Sequence, residues 1–395
     1  MANLEVVEIR GAAAFDTLRN EWQTLFRAAG ASPFLTFEWL STWHEWLGSG
    51  REPLLLCARE DGQLVGLLPL AVEERRLWKC FGKLQRLSFL GEAFGGADYL
   101  DVIALPERRA AVSALLFDHL AQRGGFDLLE LEGFATDSPN FAALLARFSA
   151  AASFNVRQTP HYTCPQVELN SDWPTFLANS RRRDNFKQKL RRIRQRYEFD
   201  YRVVTEAAEI EAAFERYYKL HENRWAGHGG SDATGHARLR EFQRAAVSRL
   251  AATGLLRFEE LWIDGECRAS NYGLDDGVNF YFYSAGYDQA WRNMSPGLVL
   301  TGLSIESAIQ RGLKRFDFLR GDETYKFDWA NATRETVTLT IAQRNLVSTL
   351  FVEGQRAWNQ LRVGLKEALP APVALTLRNW FRLARRQQSL ATSNS

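Results

Sequence analysis

Two Asp-Gly dipeptides frame this chain. Asp61-Gly62 sits inside "PLLLCAREDGQLVGLLPLAV" and Asp264-Gly265 inside "LLRFEELWIDGECRASNYGL". Each has an apolar run of strand length on either side. Asp-Gly at such a junction supplies the positive-φ backbone of a two-residue hairpin turn. The surroundings repeat as well. Each half reads as strand, Asp-Gly turn, strand, a later helix, Gln-Arg-Gly and a further strand. "AQRGGFDLLELEG" (121–133) echoes "IQRGLKRFDFLRGDE" (309–323). Gln122-Arg123-Gly124 aligns with Gln310-Arg311-Gly312. After a two-residue insertion, Phe126-Asp127 aligns with Phe316-Asp317. A shared glycine helix end explains part of the echo; an internal duplication explains the order.

Periodicity fills in the frame. Helical spacing covers 12–28, 34–46, 107–123 and about 206–225. "LEVVEI", "LQRLSFL", "DYLDVIAL", "FDLLELEG", "VNFYFYSAG" and "RFDFL" read as strands, and "ETVTLTIAQ" closes the sheet. The length, 395 residues, suits about two domains. We divide the chain into 1–165, 166–345 and a helical basic tail, 346–395. The fold class is α/β. The tail segment "LTLRNWFRLARR" reads either as a packed helix with a solvated arginine face or as a contact for anionic lipid or a partner.

Net charge is +2, so no global field points to nucleic acid or membrane. No run approaches the length of a membrane span, and "MANLEVVEIR" lacks the apolar core of a signal peptide. Cys57, Cys80, Cys164 and Cys267 form no Cys-x-x-Cys pair and read as reduced thiols. A cytoplasmic protein is expected, with peripheral membrane contact through the tail left open. His221, His228 and His236 lack the spacing of a helical ligand pair, so no metal is expected. Their glycine-rich segment reads as a loop closing over substrate. Walker A, G-x-G-x-x-G and G-x-S-x-G motifs are absent.

Four stretches could carry chemistry. "SRRRDNFKQKLRRIRQR" (180–196) has nine Lys or Arg and one acid. Phe186, Leu190, Ile193 and Tyr197 share one helical face, so the charges meet water or a polyanion. Ser295-Pro296-Gly297 follows a strand and opens a helix, either as an ordinary cap or as a seat for phosphate. In "VNFYFYSAGYD", alternation puts Phe280, Phe282 and Ser284 on one face and Asn279, Tyr281 and Tyr283 on the other. Such a strand is buried on both sides or lines a cleft. "RFDFLRGDETYKFDWAN" (315–331) places Arg320, Asp322, Glu323, Tyr325, Lys326 and Asp328 behind a short strand. That is a polar loop of ion pairs, or an active-site mouth.

These stretches, with "HENRW" and the second hairpin, span about 175–335 in one order. That order resembles the GNAT-type acyltransferases, in particular the cellulose-biosynthesis (CelD/BcsL-like) acetyltransferase branch, and is similar to FemAB-like tandem-GNAT proteins. The resemblance implies tandem GNAT-like domains with mixed central sheets flanked by helices, the first copy degenerate and the second carrying the site. It implies acyl transfer from a thioester, acetyl-CoA or another acyl-CoA, to an amine. The expected acceptor is an amino group of an envelope or exopolysaccharide precursor, or another small amine. It places the donor along Tyr283 and Ser284 and on the helix start at Ser295, Gly297 and Leu298. "RNMSPG" departs from the family's glycine-rich Q/R-x-x-G-x-G/A loop, which keeps acyl-carrier protein and aminoacyl-tRNA open as donors. Asp322 or Glu323 would be the base, Tyr325 the acid for the thiolate, and Lys326 a stabiliser of negative charge. Asp317 would face the cleft or satisfy neighbouring backbone. A FemAB-like aminoacyl-tRNA-dependent transferase and a non-catalytic scaffold in a polysaccharide-synthesis complex are the alternatives.

Overall fold

The structure is a computed structural model that describes residues 3–76, 83–92, 95–226, 237–321, 323–354 and 356–357. Cys80, His228, His236, Asp322 and the basic stretch of the tail lie outside the described residues.

The first half runs β1 (Leu4–Arg10), α1 (Ala13–Ala29), α2 (Phe37–Leu47), β2 (Arg51–Glu60), β3 (Gln63–Arg76), β4 (Lys83–Phe89), a two-residue β5 (Ile103–Ala104), α3 (Arg109–Arg123), β6 (Leu128–Ala135), α4 (Pro139–Ser149) and β7 (Phe154–Glu168). Helices α5 (Trp173–Asn179) and α6 (Arg183–Arg196) connect the halves. The second half repeats the order: β8 (Phe199–Val204), α7 (Ala207–Ala226), α8 (Ala237–Leu250), β9 (Leu256–Ile263), β10 (Glu266–Asp275), β11 (Asn279–Tyr287), α9 (Pro296–Gln310), β12 (Arg315–Asp317), α10 (Thr324–Trp329) and β13 (Ala332–Gln343). Both Asp-Gly turns form as their residue types require. Asp61 and Gly62 have φ of 48° and 84°, and Asp264 and Gly265 have 50° and 72°.

The described strands form one mixed sheet, ordered β1-β2-β3-β4-β6-β13-β7-β12-β11-β10-β9-β8. The order is palindromic about its centre. In each half three antiparallel pairings lead to one parallel pairing, β4 with β6 and β11 with β12. The last strand of each half then crosses over: β13 pairs with β6, and β7 pairs with β12. So β13, read from sequence as closing the sheet, lies at its middle. The boundary placed at 165/166 falls inside β7, a strand that pairs with elements of both halves.

The registers also realign the echo. Arg86 faces Leu128 as Asn279 faces Arg315. Asp127 N donates to Gln85 O as Lys314 N donates to Val278 O. These pairs make Glu130, not Asp127, the counterpart of Asp317; the two-residue insertion disappears, and the Gln-Arg-Gly match slips by one residue.

Apolar residues cover both faces. One core joins the halves, with Trp39 of α2 edge-on to Phe242 of α8. The other lies on the opposite face of the second half, under Phe186 of α6, Val299 of α9, Phe316 and Trp329. Phe186 and Ile193 are buried and Leu190 and Tyr197 half-buried, the face read from their spacing. Gly302 of α9 is required there, because a β-carbon would collide with the Phe186 ring.

Because β13 is shared, the halves should unfold together. Leu339 of β13 is fully buried. Leu339→Ala should cost about 2–5 kcal/mol. Calorimetry should show one transition that moves as a whole; two transitions with only one displaced would contradict the shared strand.

Candidate active site

β11 and β12 pair for three residues, from Asn279 with Arg315 to Tyr281 with Asp317, and then part. β11 continues to Tyr287. Phe318 N turns to Pro165 O on β7 (3.0 Å), and Leu319 enters the left-handed region at φ 56°. Among the described residues no strand pairs with β11 on this side beyond Tyr281. A V-shaped gap opens between the two strands.

A bulge re-aims the side chains at that gap. Tyr272 of β10 faces Ser284, but Gly273 faces Phe282, so Tyr283 is the extra residue. A bulge of this kind puts two consecutive side chains on one face. Tyr283 donates to Gly95 O (2.6 Å) and packs on Phe34 and Trp39; Ser284 accepts from Tyr217 of α7 (2.7 Å). Phe280 and Phe282 point the other way, onto Phe316. Simple alternation grouped Ser284 with the two phenylalanines; the bulge moves it to the α7 face beside Tyr283. The strand is buried on both sides.

At the far end of β11 a 3₁₀ turn, Gln289–Met294, delivers Ser295 in the left-handed conformation (φ 54°, ψ 54°). Pro296 opens α9 without an N–H, so the amides of Gly297 and Leu298 are the first-turn donors left for a ligand. Tyr287 packs beside Gly297: a β-carbon there would be 3.4 Å from its ring. Ser295, Gly297 and Leu298 are half-buried.

The segment behind β12 folds back on itself. Asp317 alternates with Phe316 and Phe318, so its carboxylate enters the face opposite to theirs. It is buried and accepts from Tyr99 Oη (3.2 Å), Gln166 Nε2 (2.6 Å) and Leu319 N (2.8 Å). Burial pushes its pKa up to about 6, against the lowering effect of those three donors. Lys326 Nζ donates to Arg320 O (2.7 Å) and pairs with Glu323 Oε2 at 3.0 Å. Gly321, at φ 135°, makes this bracket possible, because a β-carbon would collide with both partners. Tyr325 is half-buried, edge-on to Phe318. Asp328 pairs with Arg182 of α6. Glu323, Tyr325 and Lys326 thus come together at the end of β12. Asp317 sits one layer deeper, and Asp322 is outside the described residues.

The first half supplies the facing wall. Arg320 Nε donates to Asp98 Oδ1 (2.7 Å), Nη2 donates to Ala97 O, and the guanidinium stands 5.5 Å from the Tyr162 ring centroid. Tyr99, itself at φ 56°, carries the bond to Asp317 under the guanidinium of Arg334. His161, beside Tyr162, contacts Thr338 Oγ1 (2.7 Å), and burial lowers its pKa. Asp98 and Tyr99, which the pattern of "DYLDVIAL" puts on a strand, lie in the connection before the two-residue β5, and His161, Tyr162 and Gln166 carry no local motif. The only signal was "FGGADYLD", whose glycines let the backbone reach across. Among the described residues no three His, Cys, Asp or Glu cluster as metal ligands.

The equivalent gap in the first half is filled. Glu92 pairs with Arg86 of β4, and its other oxygen accepts from Glu132 N of β6 (3.5 Å). Arg86 also holds Glu130 at 2.7 Å. Burial pushes Glu92 up to about 7 in spite of Arg86.

Residues 180–327 match the model of the Acetyltransferase (GNAT) domain. The structure is similar to the crystal structure of FemX, with a TM-score of 0.55 and 11% identity, over 83% of this chain and 96% of that one. It is similar to the C-terminal domain (DUF2156) of a putative lysylphosphatidylglycerol synthetase from Agrobacterium fabrum: TM-score 0.51, 10% identity, 86% and 96% coverage. L-PGS from Bacillus licheniformis gives 0.50, 13%, 84% and 93%. At such identities these likenesses concern the fold. No curated protein sequence matches. The second half thus matches a GNAT-type acetyltransferase domain over residues 180–327, and the chain has a mixed α/β fold of two GNAT-like halves.

The Asp317 carboxyl gives a pH test. Its folded pKa, about 6, lies above the ordinary 3.8, so the fold binds that proton more tightly than the unfolded chain. This contribution is complete below about pH 4 and is lost as pH rises through 6. Asp317→Asn lacks it. The stability of the native protein relative to this variant should fall by about 2–3 kcal/mol between pH 4 and pH 7, read by denaturant unfolding. A flat or rising difference would contradict the buried, proton-retaining carboxyl.

Proposed function

We propose that this protein is an N-acyltransferase that moves an acyl group, acetyl in the simplest case, from a thioester to a primary amine. The observation that carries the reading is the divergence of β11 from β12 after Tyr281, where among the described residues no strand pairs with β11, while Arg86 and Glu92 fill the equivalent place in the first half. An unpaired strand edge can hydrogen-bond the amides of an extended pantetheine-type arm as a neighbouring strand would. It also offers N–H donors to a developing oxyanion.

In this reading the amine enters from the polar wall of Asp98, Arg320, Tyr283 and His161. It must first lose a proton, since its pKa is near 10. Glu323, on the more exposed side of its ion pair, takes that proton directly or through water. The nitrogen attacks the thioester carbon, the tetrahedral intermediate sheds a second N–H proton to solvent as it collapses, the C–S bond breaks, and Tyr325 protonates the leaving thiolate and regains a proton from solvent. Lys326 holds Glu323 and fixes the Arg320 carbonyl. Asp317 acts as a positioning residue, holding Tyr99 and the turn at Leu319. The acceptor class we favour is an amino group of an envelope or exopolysaccharide precursor, in line with the branch the sequence resembles.

Thermal unfolding with saturating acetyl-CoA, longer acyl-CoAs and free CoA tests the donor. A ligand of the folded state raises the midpoint. We expect a rise with acyl thioesters that is lost in Gly297→Trp, whose side chain would meet Tyr287. In a thiol-release assay with a panel of amines, Glu323→Gln should lower kcat by about 10²–10⁴-fold and keep the midpoint shift. No shift with any thioester would overturn the reading.

A further inference from the structure

α6 lies between β7 and β8, outside the strand order that the two halves repeat. It is tied to both sides of the gap. Arg182, at its start, pairs with Asp328 of α10; Phe186 lies on Gly302 of α9; Lys189 Nζ donates to Asn293 O (2.6 Å), two residues before Ser295. The helix therefore lies alongside the donor end of the site. Its outer face is strongly cationic. Arg181, Lys187, Arg191, Arg192 and Arg196 are exposed, and none forms a salt bridge among the described residues; the helix's one acid, Asp184, pairs with Arg183 and also lies near Lys187. Fourteen residues extend roughly 20 Å, longer than a single phosphate site requires.

The start of α9, in contrast, is poor in anion donors. Pro296 removes one N–H and Tyr287 packs beside Gly297. The site thus joins an open slot for an arm to a weak seat for pyrophosphate and a long basic face beside it. That combination suits a donor whose arm ends in a thioester and whose affinity comes from an extended acidic surface.

We propose that the donor is delivered by an acidic carrier protein that docks on α6 and threads its phosphopantetheine arm into the β11–β12 gap. This rests on the thioester-transfer reading above. Single-stranded RNA fits the face less well, because the nearby aromatic rings are engaged. Tyr197 packs on Trp291 (4.9 Å), Trp173 on Phe176 and Phe186, and Phe199 lies under Arg194, so none is offered for base stacking.

The test compares acetyl-CoA with a purified acidic acyl carrier protein charged with acetyl, using the full chain and its Lys187→Glu/Arg191→Glu/Arg192→Glu variant. All three side chains are exposed, so the fold is retained, which circular dichroism checks. The carrier should exceed acetyl-CoA in kcat/KM by roughly tenfold or more at low salt, and the variant should lose that advantage. The acetyl-CoA rate should change by less than about threefold, because long-range charge matters less for a small ligand held in the gap. Equal use of both donors, or a variant that weakens acetyl-CoA as strongly as the carrier, would overturn the docking proposal and leave acyl transfer standing. Binding of transfer RNA to this face, with the carrier ignored, would overturn it as well. Activity with neither thioester would instead remove the underlying reading.

Discussion

The antiparallel pairing of β7 with β13 is the constraint on which the rest of the molecule depends. It runs from Ala332 opposite Gln166 to Gln343 opposite Phe154 with a single irregularity. Each strand ends one half and pairs outward with the other half, so neither half has a complete sheet alone. An unpaired strand edge in the middle of a core would leave buried N–H and C=O groups unsatisfied, and the crossing removes that cost. The crossing also fixes where the site can be. It sets Gln166 of β7 and Asp317 of β12 directly opposite one another. It brings the segment from Gly95 to Tyr99 against Tyr283, Arg320 and Asp317. The candidate site is therefore a product of both halves, although the gap belongs to one.

The halves share a scaffold and differ in what occupies the divergence of their parallel strands. In the first half the buried Arg86 fills it, with the carboxylates of Glu73, Glu92, Glu130 and Glu132 around it. Truncating one partner of such a group would strand a buried charge, so the network resists piecemeal change. In the second half the same place is lined by Phe282, Phe318 and the edge of β11 beyond Tyr281, where no strand pairs among the described residues. Charge has moved to the rim, as the Glu323–Lys326 bracket and the Arg320–Asp98 clamp. A duplicated fold has thus given one half to building a wall and the other to presenting an opening.

Much of this was legible in the sequence, and the reasons for the rest are physical. Asp61-Gly62 and Asp264-Gly265 announce themselves because few dipeptides tolerate that turn. The buried face of α6 follows from the spacing of Phe186, Leu190, Ile193 and Tyr197. The start of α9 follows from Ser295-Pro296. The exchange of β7 and β13 was not legible, since strand partners are set by long-range pairing and not by local pattern. β7 itself escaped notice: "NVRQTPHYT" is polar and contains a proline, and reads as a loop until its neighbours are known. The bulge at Tyr283 leaves no mark in the alternation it disrupts. The identical Phe-Asp pairs at 126 and 316 misled the alignment, because chance identity outweighed the sheet register that equates Glu130 with Asp317. The reach of Asp98 and Tyr99 into the second half was visible only as a glycine-rich connection.

The most direct test of the account is hydrogen exchange with and without a non-transferable acyl thioester analogue, read amide by amide. The account predicts protection along β11 from Phe282 to Tyr287 and at Gly297 and Leu298, with no change from Arg86 to Glu92 or along β6. Protection in the first half, or none along β11, would contradict the claim that the donor lies in the second-half gap.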